Sequence, residues 1–227
     1  MKPSGTSGRT VGVLLLAHLI VGLTTPFILL QSVVTTSGFL ETAAAHSTQV
    51  RVAVFLLFAG SATAIGIAIA AWPVIRQHSL AMALWLLALG VASFTLQAVD
   101  SGALLSMLSL SKQFASIDAT DAHVFQSLAL AVGSARKWAH YSFLLVVGVW
   151  IFLLYCVLYR CKLVPRALAA FGLIASLLQI TGVTLRGLLG YAPETRLAMP
   201  LAPAYVALAL WLMIKGFNEG QRPVSTV

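Results

Sequence analysis

Apolar residues fall along the chain in six long blocks, and charged residues stand almost only between the blocks. A helix advances about 1.5 Å per residue, so about 20 apolar residues cross a hydrocarbon core while every backbone polar group bonds internally. The first block, Val11–Val34, has no formal charge between Arg9 and Glu41. The second lies between Arg51 and Arg76, the third between Arg76 and Asp100, and the fourth runs from Trp138 to Tyr159. The fifth lies between Arg166 and Arg186, the sixth between Arg196 and Lys215. This pattern predicts an all-α, polytopic membrane helix bundle of six transmembrane helices. Residues 11–217 form the membrane domain, between tails at 1–10 and 218–227. The opening MKPSGTSGRT resembles the start of a secretion signal, but the apolar run behind it extends for about 24 residues without a small-residue cleavage site, so it reads as an uncleaved first span.

The connections are unequal. WPVIRQH and YRCKLVPR are tight turns, which makes spans two and three, and spans four and five, antiparallel neighbours. Pro165 suits the first turn of the fifth helix. The connection from Ser101 to Lys137 is long. Its stretch after Asp121, AHVFQSLALAVGSARKW, mixes apolar and polar residues at helical spacing with Asp121 as N-cap. It predicts an interfacial helix that lies on the outer face or leads into span four.

Charge sets an orientation. Lys2, Arg9, Arg76, Arg160, Lys162, Arg166, Lys215 and Arg222 fall on one side, and Arg51, Lys112, Arg136, Lys137, Arg186 and Arg196 on the other. The richer side is expected in the cytoplasm, with both termini. Trp72, Trp138 and Trp211 stand near span ends, where interface anchors belong. The net charge of +8 does not point to nucleic acid, because the basic residues form neither a run nor an aromatic-interleaved patch. Hydrophobic residues at 59% and charged residues at 9% suit a lipid bilayer as the surrounding partner. Cys156 and Cys161 have no metal-ligand spacing and are not expected to pair.

Ionisable and amide groups in the spans are the candidates for function, because a bilayer makes them costly. Gln97, Asp100, His140, Gln179 and Arg186 are the candidate ligand-binding residues. Asp100 and Arg186 end their spans at similar depth, and an Asp100–Arg186 pair would offset the cost of burying each. Gln97 lies one turn before Asp100 on the same helix face. Thr24 and Thr25, before a kink at Pro26, and Thr181 could line the same outward-facing cavity. His18 stands apart in the opposite half, where one interhelical hydrogen bond would satisfy it. Gly60, Ala64 and Ala68 fall four apart and allow close helix packing. No cofactor motif, catalytic motif or internal repeat is present, and no catalytic residue, cofactor or metal is assigned. The run DATDAH, with His46, His123 and His140, holds potential zinc ligands at no established spacing.

The segments RVAVFLLFAGSATAIGIAIAAWPVIRQHSLAMALW, KWAHYSFLLVVGVWIFLLYCVLYRCKLVPRALAAFGLIAS and ALALWLMIKGF resemble a bacterial membrane family known only as domain of unknown function 4386. The resemblance runs from about Val11 to Phe217 and is most specific at Arg160, Pro165, Arg166 and Gly172. A typical member carries glycine where this chain has Leu154 or Tyr155. The resemblance implies six spans in a bacterial plasma (inner) membrane and brings no activity with it. The reading favoured by the residues is a cavity that binds or passes a small lipophilic or amphipathic molecule, its head fixed by Asp100 and Arg186. The alternatives are a metal-assisted membrane hydrolase using His123, His140 and outer carboxylates, and a non-catalytic assembly or sensing partner of a membrane protein or of a second copy.

Overall fold

The structure, a computed structural model, describes residues 3–34, 38–116, 122–191 and 195–218. Helix α1 (Pro3–Thr24) passes into a π-helical turn, Thr25–Leu29, and then α2 (Gln31–Val34) and α3 (Phe39–Thr42). The remaining helices are α4 (Ser47–Ile75), α5 (Leu80–Phe114), α6 (Ala122–Arg160), α7 (Arg166–Gly187), α8 (Thr195–Ala198) and α9 (Leu201–Lys215). Six of them are long and apolar enough to cross a membrane: α1 with its π turn, α4, α5, α6, α7 and α9 with part of α8. Each packs on its neighbours in sequence, and α1 closes the circuit against α9.

Local chemistry sets the ends and irregularities of these helices. Pro26 has no N–H to donate, and the ladder adjusts by widening, with the Leu30 N–H reaching the Thr25 carbonyl at 3.0 Å. The kink expected at Pro26 therefore takes the form of a π-helical turn. Ser79 caps α5 by accepting from the Met82 N–H at 3.3 Å. Pro165 stands one residue earlier than expected, as the extended cap before α7. Between α6 and α7 the chain turns through Lys162 at φ 54° and buries Leu163 and Val164. The Asn218 N–H then pins this turn by donating to the Leu163 carbonyl at 2.7 Å.

Helix α5 has 35 residues and α6 has 39. At about 1.5 Å per residue they are roughly 50 and 60 Å long, against a hydrocarbon core of about 30 Å. Both overhang the bundle at the end away from the α4–α5 and α6–α7 turns. The stretch after Asp121 is thus not a separate surface helix but the first part of α6, leading into span four. Phe114 and Phe125 meet across the overhang, with ring centroids 6.1 Å apart. Buried Ser111 ties the segment before α4 to α5: its hydroxyl donates to the Leu40 carbonyl at 2.6 Å and accepts from the Ala44 N–H at 2.8 Å.

The core runs through all six long helices around Trp150, Tyr155, Leu15, Ile67 and Leu208. The small-residue stripe works as expected. Ala64 and Ala68 are buried, and a Cβ on Gly60 would fall 2.5 Å from Val21 Cγ1, so α1 and α4 approach closely there. Tyr155 lays its ring over α7. A Cβ on Gly172 would fall 2.0 Å from the ring's Cε1, so the void is supplied from the opposite helix. Gly172→Ala is expected to cost about 1–3 kcal/mol by forcing the helices apart. Gly22→Ala, at a site with nothing within 4 Å, is expected to be neutral or to gain about 0.5–1 kcal/mol. Denaturant unfolding of the two purified variants in detergent checks both signs.

Candidate functional site

The alternation of turns puts one end of α5 beside one end of α6, and there the sequence places an acid opposite two bases. Asp100 lies roughly 30 Å along α5 from Leu80, and His140 roughly 30 Å along α6 from Arg160, at about 1.5 Å per residue. The two residues therefore stand level with each other, at a distance from the two turns that matches the thickness of a hydrocarbon core of about 30 Å. On α5, Gln97, Asp100 and Ser101 share one face at spacings of three and four. On α6, Arg136 and His140 share the opposing face at a spacing of four.

Asp100 is 1% exposed, Arg136 18% and His140 32% in their side chains. The Oδ2 oxygen of Asp100 accepts from Gln97 Nε2 at 3.2 Å and faces His140 Nδ1 at 3.3 Å, where the ring N–H donates. Its Oδ1 oxygen lies 3.5 Å from Arg136 Nε, an ion pair without hydrogen-bond geometry. The Gln97 amide also reaches Ser101 Oγ at 3.4 Å. A carboxylate removed from water is held here by one permanent cation, one titratable ring and one amide. The cationic edge, not the acid, faces outward.

Three sequence candidates, Gln97, Asp100 and His140, are brought together, and two are not. Arg186 does not pair with Asp100. It is exposed at the end of α7 and forms no ion pair among the described residues. The reason is the order of packing: α6 stands between α5 and α7, so Arg136 reaches Asp100 first. Arg186 belongs to the rim, since Gly187 beside it packs on Tyr141, the neighbour of His140. Gln179 is buried one turn deeper and donates to the Leu144 carbonyl at 3.3 Å. Thr24, half-buried, and Thr181, exposed, bond the carbonyls of Ile20 and Leu177 on their own helices and make no contact with Asp100 among the described residues. Thr25 is fully buried. Two open grooves of about 380 and 300 Å³ lie on the flank of the bundle, beside Trp211 and beside Trp85, and neither is lined by Asp100.

Arg136 is the residue that sequence reasoning missed. The signal was an Arg and a His four apart, legible once α6 is taken to run unbroken through Lys137. A second buried group lies in the bundle centre. His18 Nδ1 donates to the Gly60 carbonyl at 3.1 Å and lies 2.9 Å from the Thr63 hydroxyl. The ring stacks on Tyr205, with Trp150 also 6.0 Å away. His18 thus bonds across helices, and its partners are α4, α6 and α9. His123 lies roughly 25 Å before His140 on the same helix at about 1.5 Å per residue, so the two cannot share an ion. Among the described residues no three His, Cys, Asp or Glu side chains gather, and Asp118 and Asp121 lie outside those residues. Both cysteines are free, and burial pushes the Cys161 thiol up against the opposing charge of Arg160.

Asp100→Asn leaves Arg136 without its counter-charge. The variant is expected to lose about 2–3 kcal/mol, less than the roughly 3–5 kcal/mol of a fully buried pair because Arg136 reaches the surface. Arg186→Gln is expected to change stability by no more than about 0.5 kcal/mol. Thermal unfolding of the two variants in the same detergent compares them.

No curated protein and no solved structure matches the chain. One family does, described as domain of unknown function (DUF4386), over residues 10–216. With nearly the whole chain covered and six helices fit to span a membrane, the protein belongs to that membrane family.

Proposed function

We propose that the protein binds a small lipophilic or amphipathic molecule at the face where the Asp100 cluster lies, in the plasma membrane of a bacterial cell. On the orientation drawn from Lys and Arg, both termini are cytoplasmic and this face is the outer one. The observation that carries the reading is a buried carboxylate whose two partners, Arg136 and His140, remain partly exposed. A fixed charge pair of this kind orients a polar head, and an apolar surface beside it holds a chain. That surface is present: Leu188, Leu189 and Tyr191 are exposed just beyond Gly187, which packs on Tyr141. The role of each residue follows. Arg136 and His140 meet the head, Asp100 and Gln97 hold them in place, Gln179 supports the wall of α6, and Arg186 adds charge at the rim. A second reading, docking of a membrane-protein partner, draws support from Val124, Leu128 and Leu130, which are exposed on the α6 overhang.

Purified protein in nanodiscs of zwitterionic lipid, titrated with single-chain amphiphiles of twelve carbons, tests the first reading. A ligand at about a hundred times its Kd is expected to raise stability by about 2.7 kcal/mol. His140→Gln is expected to remove most of the gain. Absence of any shift with every amphiphile contradicts the reading.

A further inference from the structure

We infer that the head held at this cluster is an oxyanion, a phosphate or a carboxylate, seated on the free edge of Arg136. The inference rests on the reading of the cluster as an amphiphile site and names the chemistry of its ligand. Arg136 is four-fifths buried, yet its one polar contact among the described residues is the 3.5 Å approach of Nε to Asp100. Nε itself is buried without a hydrogen bond, and the two Nη groups have no partner among the described residues. A guanidinium keeps its charge at any physiological pH and carries five N–H donors in a planar fork. Its Nε–H is withdrawn from water without a bond, while the Nη groups reach the surface with no protein acceptor to hold them. Two parallel N–H groups match the two oxygens of a carboxylate or phosphate, a geometry that an alcohol or an ammonium cannot use.

The surroundings select the same sign of charge. His140 places Nδ1 3.3 Å from the Asp100 carboxylate, so its ring stands beside Arg136 at the partly exposed edge of the cluster. Lys137, with its ammonium 5.5 Å from the Trp138 ring, is next along α6, and Arg186 stands at the rim. Against these cations the described residues around the site offer one acid, Asp100, which Arg136 and His140 already face. A cationic head is repelled here, and a neutral one leaves the fork idle.

Three ligands with one chain and different heads separate the outcomes: dodecyl phosphate, dodecanol and dodecyltrimethylammonium, titrated into the protein in zwitterionic nanodiscs. Dodecyl phosphate is expected to bind at least about tenfold tighter than dodecanol, with the ammonium weakest. Arg136→Gln should bring the phosphate to the alcohol's affinity. Arg136→Lys keeps the buried charge opposite Asp100 and so controls for folding, and it should still weaken phosphate binding severalfold. Equal binding of phosphate and alcohol by the unaltered protein overturns the inference and leaves the amphiphile site standing. No binding by any of the three removes both. Inorganic phosphate that displaces dodecyl phosphate at similar concentration supports the oxyanion site and assigns it to a soluble anion. Failure to displace, with dodecyl phosphate bound, supports the site and assigns it to a lipid headgroup.

Discussion

A carboxylate closed off between two membrane helices has no water to solvate its charge, and the helices cannot lend it backbone donors because their own ladders use them. Asp100 is in that position, and its neutralisation constrains everything around it. The acid needs a cation from another helix at its own depth, with Gln97 and Ser101 on its own face to steady it. Arg136 and His140 meet that need only because α6 remains helical past the end of the apolar block, which sets both on one face. The long overhang of α5 and α6 is therefore part of the same solution. Phe114 and Phe125 join the two helices there, and Ser111 ties α5 to the segment before α4.

The rest of the bundle supplies a frame in which few polar groups are left to choose from. His18 bonds to Gly60 and lies against Thr63 and aromatic rings, and Trp150 donates to the Leu86 carbonyl at 3.0 Å. Both tie helices together in the centre. The Asp100 cluster differs in kind, because its cations have donors to spare and reach the surface. Spare donors at the surface beside an apolar face are what the proposed site would offer a ligand.

The six spans were legible because charge marks each boundary and a bilayer admits only helices over such lengths. The close approach at Gly60 was legible for a similar reason, since small residues at a spacing of four have one obvious use in a membrane. The same rule hid the pairing. Arg136 and Lys137 read as the charged end of a span, and Arg186 lies at the same depth as Asp100, so depth alone could not choose between the arginines. The choice comes from the order of packing, in which α7 meets α6 and α9 while α5 meets α4 and α6. No pattern along the chain states that order. Tyr155 teaches a related lesson: its ring fits because Gly172 on α7 has no side chain, a match visible only across the interface.

The central claim is that Asp100 is neutralised across the α5–α6 interface. A charge exchange measures it most directly: Asp100→Arg with Arg136→Asp, set against Asp100→Arg with Arg186→Asp, each compared with its single variants by thermal unfolding. The account predicts that the first double variant recovers a coupling energy of about 1–3 kcal/mol, while the second is additive to within about 0.5 kcal/mol. Recovery in the Arg186 exchange, with none in the Arg136 exchange, would contradict it.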